Sequence, residues 1–124
     1  SVLARFRSYP DLIRLLLAQH LSTSLIDLHS ELNYFLTDTY FRIRLLALDY
    51  FDKLKPAETD RLLHDKSAKV RLQTLYALKD RTDIKEIALE YLADDSASIR
   101  YFARFVLKLA LPRQLWGSIN ECTR

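Results

Sequence analysis

Apolar residues in this chain recur at three- and four-residue steps, in blocks parted by short polar stretches, which predicts amphipathic helices rather than strands. The clearest block is Asp65-Lys66-Ser67-Ala68-Lys69-Val70-Arg71-Leu72-Gln73-Thr74-Leu75-Tyr76-Ala77-Leu78. The same order of side-chain types returns at Asp94-Asp95-Ser96-Ala97-Ser98-Ile99-Arg100-Tyr101-Phe102-Ala103-Arg104-Phe105-Val106-Leu107. It also stands upstream, from Asp38 through Ile43-Arg44 to Phe51. In all three copies an Asp precedes an Arg by six residues, and a β-branched apolar residue stands directly before the Arg. A degraded fourth copy, Ile13-Arg14-Leu15-Leu16-Leu17-Ala18, carries Ser8 in the Asp slot, so the arginines fall at 14, 44, 71 and 100.

These copies predict helices over residues 11–21, 39–53, 67–79 and 96–110, each opening after a polar turn. Other helices alternate with them. Ser22, Thr23 and Ser24 offer N-cap hydroxyls, and Leu25, Leu28, Leu32 and Leu36 then mark one face of a helix over 24–36. Pro56 with Glu58 opens a short helix ending near His64, because proline suits a first helical position and an acid suits the first turn. Asp83 and Glu86 have capping-box spacing ahead of the stripe Ile84, Ile87, Ala88, Tyr91 and Leu92. Residues 113–119, with Trp116 and Ile119, read as one more short helix. The chain is therefore a run of helical hairpins at a period of 27 to 30 residues. No single hairpin can bury its apolar face, so neighbours must stack.

The Asp-x-Ser-x-x-Val/Ile-Arg pattern, followed by small and leucine positions, resembles HEAT repeats, and its short period is similar to the compact bilin-lyase-type variety. The resemblance covers residues 38–107 and extends to the rest by continuation. It implies an all-α, right-handed superhelix of about four hairpins forming one domain. It also implies that Asp38, Asp65 and Asp94 link with Arg44, Arg71 and Arg100 in a ladder from repeat to repeat. A phosphate-gripping role for the three arginines is the alternative. The structural reading is preferred, because each Arg travels with an Asp that a phosphate site does not need.

Aligned on their arginines, the copies form columns. Ile13, Ile43, Val70 and Ile99 make one; Leu17, Ala47, Thr74 and Ala103 another; Leu21, Phe51, Leu78 and Leu107 a third. All three are expected in the core. The remaining positions are also rich in apolar side chains, so these helices are either buried on several sides or expose a strip. In HEAT proteins the second helices generally line the concave face, which implies an aromatic groove of Tyr76, Tyr101, Phe102 and Phe105. Arg42, Lys69 and Gln73 are candidate partner contacts beside it. Packing between repeats is the competing reading of the same aromatics.

Composition narrows the function. The 124 residues are 49% apolar and 28% charged, with one Gly and three Pro, which suits a foldable helical domain. The single Cys122 permits no internal disulfide and no cysteine zinc cluster, and fits a cytoplasmic setting. His20, His29 and His64 lack the spacing of a helical metal site, and no phosphate loop exists around Gly117, so neither an enzyme nor a cofactor is expected. A formal charge of +3 allows a nucleic acid or acidic partner without requiring one. Acids at Asp49, Asp52, Asp80 and Asp83 interrupt any basic stripe. No apolar run is long enough for a transmembrane helix. With Ser1 first and no Met, the chain is expected to be a segment of a longer protein. The expected role is a non-catalytic protein-interaction or scaffold module binding a protein or peptide. A nucleic-acid-binding solenoid, and an accessory module of a lyase-like protein that modifies or loads another protein, are the alternatives. Uncapped ends also predict end-to-end self-association.

Overall fold

The computed structural model describes residues 5–23 and 28–121, and every regular element within them is helical. The α-helices are α1 (Asp11–Thr23), α2 (Leu28–Leu36), α3 (Phe41–Leu46), α4 (Pro56–Leu63), α5 (Ala68–Ala77), α6 (Ile84–Glu90), α7 (Ala97–Ala110) and α8 (Trp116–Glu121). Tight 3-10 turns precede α1 (Phe6–Ser8) and α8 (Arg113–Leu115) and prolong α3 (Ala47–Lys53) and α6 (Tyr91–Ala93).

Local chemistry sets most boundaries. Pro56 opens α4, and the Glu58 carboxylate accepts the Lys55 N–H at 2.8 Å, satisfying a donor that the helix cannot. Before α5, Asp65 Oδ1 accepts the Ser67 N–H at 2.8 Å and turns the chain into the helix. Several expectations shift. Asp83 makes no cap bond, because its carboxylate is held by Arg81 at 2.9 and 3.0 Å. Ser22 and Thr23 belong to the end of α1 rather than to a cap, and Ser24 and Leu25 lie outside the described residues. The helix expected over 39–53 tightens at Ala47 and breaks at Tyr50 (φ −118°, ψ 33°), in a stretch with neither Gly nor Pro to mark it.

Helices α2 and α3, α4 and α5, and α6 and α7 pack as hairpins, while α1, α3, α5 and α7 pack side by side in that order. Helix α8 lies against α7. Leu62 and Leu63 on α4 point about 100° apart and belong to different apolar clusters. One holds Phe6, Leu15, Leu32, Phe35, Ile43 and Val70; the other holds Leu75, Leu78, Tyr91, Ile99, Leu107 and Ile119. Ala47, Thr74 and Ala103 are fully buried along the row, their small size allowing close helix approach. The Thr74 hydroxyl donates to the Val70 carbonyl at 2.7 Å and so needs no other partner.

The core columns hold with instructive exceptions. Ile43, Val70 and Ile99 are buried, but Ile13 is 45% exposed; among the described residues the element ahead of α1 is the turn Phe6–Ser8, where a helix stands in later copies. Leu78 and Leu107 are buried, while Leu17 and Phe51 are half-buried. The Leu21 side chain lies outside the described set.

Candidate interaction surface

The aspartates and arginines assemble into a ladder that runs across the hairpins. Arg44 Nε and Nη2 donate to the two Asp65 oxygens at 2.7 and 2.9 Å. Arg71 grips Asp94 in the same two-pronged way, both bonds at 3.0 Å. Each arginine therefore reaches the aspartate of the following hairpin. Its third nitrogen, Nη1, donates to the backbone carbonyl of its own hairpin's aspartate: Arg44 to Asp38 at 2.9 Å, Arg71 to Asp65 at 2.7 Å, and Arg100 to Asp94 at 2.6 Å. Each Asp also accepts the N–H two residues on, at Tyr40, Ser67 and Ser96. Planar guanidinium donors matched to planar carboxylates make these strong bonds.

Arg14 is a fourth member, donating to Asp38 at 3.1 and 3.0 Å and to the Tyr9 carbonyl at 2.6 Å. The alignment of Ile13-Arg14 with Ile43-Arg44 was the only signal for it, since Ser8 replaces the Asp. Hydrogen bonding to Asp38 raises the Arg14 pKa above its ordinary value against the opposing effect of burial. Burial alone would push the Asp94 carboxyl up, but the bonds from Arg71 and the Ser96 N–H hold it below the usual carboxylate range. With both partners paired and nearly buried, these arginines are committed to carboxylates.

A second tie joins hairpins at the far end of the array. The Tyr91 hydroxyl donates to the Leu63 carbonyl, and burial pushes that phenol well above its ordinary pKa. Beside it, the exposed His64 ring meets the Asp60 carbonyl at 2.9 Å and Glu90 Oε1 at 2.7 Å, and both contacts raise its pKa.

The aromatic columns open onto a cleft of about 1040 Å³ between α5, the turn that follows it, and α7. Tyr76, Tyr101, Phe102 and Phe105 all line it, together with Leu72, Ile84 and Leu109. Tyr76 and Phe102 pack as tilted rings 4.8 Å apart. Phe102 is buried and forms the floor, whereas Tyr76, Tyr101 and Phe105 are 48–66% exposed. The two readings of the aromatics thus divide by residue: Phe102 packs between hairpins and the others face solvent. Tyr101, Phe105 and Leu109 follow one another at four-residue steps on α7, a continuous apolar ridge with solvent beside it. Leu109 was absent from the expected set, although its spacing from Phe105 signals it. Lys79, Asp80 and Arg104 border the cleft with mixed charge. Arg42, Lys69 and Gln73 are exposed but do not line the cleft.

No protein-family model matches this sequence, and comparisons with curated proteins and with solved structures likewise find no match. Among the described residues no helix is long and apolar enough to cross a membrane.

Proposed function

We propose that this chain is a HEAT-like, right-handed α-solenoid segment that serves as a non-catalytic interaction or scaffold module. It binds an amphipathic segment of another protein in the α5–α7 cleft. The observation that carries the reading is the exposed ridge of Tyr101, Phe105 and Leu109 facing Tyr76 across an open cleft. Rigid aromatic side chains give large contact area at low cost in conformational entropy, which is why they anchor binding sites. A partner helix with apolar residues at three- and four-residue steps would lay its face against that ridge. The ladder residues lie outside the cleft and only its floor, Phe102 and Val106, belongs to the core, so the exposed lining can vary without disturbing the stack. The mixed rim of Lys79, Asp80 and Arg104 suits a polypeptide better than a nucleic acid, whose backbone calls for a stripe of one sign.

The test is a display selection of helical peptides against the whole chain, repeated with Tyr76→Ser, Tyr101→Ser and Phe105→Ser combined. Selected peptides should carry spaced aromatic or aliphatic anchors and lose affinity on the triple variant by about ten-fold or more. Peptides that bind parent and variant alike would overturn the assignment. Oligonucleotide binding that falls steeply with salt would favour a nucleic-acid partner instead.

A further inference from the structure

The Asp–Arg ladder has an open end. Arg14, Arg44 and Arg71 each turn Nε and Nη2 onto the aspartate of the next hairpin. Arg100 keeps the other half of the arrangement, with Nη1 donating to the carbonyls of Asp94 at 2.6 Å and Asp95 at 3.0 Å. Its Nε and Nη2 meet no carboxylate among the described residues. This is the edge that accepts an aspartate in every preceding copy.

An apolar observation marks the same end independently. The residue after each of the first three ladder arginines is shielded from solvent. Leu15 is 6% exposed and Leu45 and Leu72 are half-buried, but Tyr101, after Arg100, is 66% exposed. Among the described residues, the carboxylate and the apolar cover are thus absent at the same place. Helix α8 packs against α7 through the buried Ile119, and its Trp116 ring lies 5.7 Å from Lys108 Nζ.

We propose that the outer edge of α7 is a docking site for a helix led by an aspartate turn. Its carboxylate closes on Arg100 Nε and Nη2, and its body covers Tyr101. The occupant's chemistry is set by charge and by the three filled junctions, where a turn aspartate and the following helix arrive together. A second copy of this chain does not answer that description. Ser8 stands where its leading aspartate would be, with the hydroxyl donating to the Arg5 carbonyl at 2.6 Å, and Asp38, Asp65 and Asp94 already hold arginines of their own chain. Tyr101 is shared with the cleft but Arg100 does not line it, so the Arg100→Gln arm distinguishes failure of this proposal from failure of the cleft assignment.

The test uses a synthetic peptide of residues 92–110, which carries the Asp94 turn and its helix and contains no Trp. Titrated into the full chain, it should change the emission of Trp116, the only Trp, to saturation. Arg100→Gln in the chain should weaken binding about ten-fold, as should Asp94→Asn in the peptide. The two changes together should cost little more than either alone. Arg71→Gln in the chain should leave the affinity unchanged, and the melting temperature of Arg100→Gln should stay near that of the parent. Absence of saturable binding, or affinity indifferent to Arg100→Gln, would overturn the proposal. So would sensitivity to Arg71→Gln, which would mean that the peptide had replaced α7. Concentration-dependent self-association of the chain alone, abolished by Arg100→Gln, would overturn it in favour of a second copy.

Discussion

Arg71→Ala is the most direct probe of the ladder. The substitution removes two bonds to Asp94 at 3.0 Å and one to the Asp65 carbonyl at 2.7 Å. The side chains of the pair are only 14% and 10% exposed, so water cannot readily replace what is lost. Breaking a buried pair by deleting one member costs about 3–5 kcal/mol, because the remaining charge is left uncompensated. Asp94 retains the Ser96 N–H at 2.9 Å and some solvent, which places the expected loss near the lower bound, about 3 kcal/mol. For a domain of this size that is roughly a 10 °C fall in melting temperature. Arg100→Ala is the internal control. It removes only bonds to backbone carbonyls, with no carboxylate left behind, and should cost about 1 kcal/mol. Arg71→Lys should recover less than half of the loss, since an ammonium cannot span both Asp94 oxygens. Thermal melts followed by circular dichroism decide the matter. If Arg71→Ala melts within a degree of the parent, or no lower than Arg100→Ala, the ladder does not hold the hairpins together.

Tyr91→Phe should destabilise by about 1–2 kcal/mol, measured by urea unfolding, because the buried Leu63 carbonyl loses its donor while ring packing is kept. His64 carries a pKa raised in the folded chain by the Asp60 carbonyl and Glu90, so its contribution is fully present below the unfolded value near 6.5 and is lost as pH rises through the folded value. Its exposure limits the effect to a few tenths of a kcal/mol, and His64→Gln should flatten that pH dependence of the melting temperature. Replacing Tyr76, Tyr101 and Phe105 by Ser should leave the melt within about 3 °C of the parent, since exposed positions contribute little to stability. A collapse of the fold would make them core.

Acid should weaken the last filled rung as pH drops. The Asp94 carboxyl is depressed in the folded state, so its contribution is present above the unfolded value near 3.9 and lost as pH falls through the folded value. In Arg71→Ala that acid-side slope should be shallower, which titrating the melting temperature below pH 5 checks.

The order of side chains by itself determined the helices, the hairpin period and the identity of the ladder residues, because helix periodicity and Asp-turn chemistry are local. Six residues separate Asp65 from Arg71, close enough that one turn and the first two turns of a helix set both positions. Which aspartate each arginine grips was settled only in three dimensions. Arg71 donates to the carbonyl of Asp65 but to the carboxylate of Asp94, a residue 23 positions away. Burial was likewise decided by neighbours rather than by residue type. Ile13 and Ile43 occupy the same slot, yet Ile13 is 45% exposed and Ile43 fully buried. Phe102 and Phe105 are three residues apart on one helix; one forms a floor against Tyr76 and the other stands in the open cleft. A repeat makes its copies alike in sequence, whereas packing depends on what lies on either side. Position in the stack therefore separates core from surface.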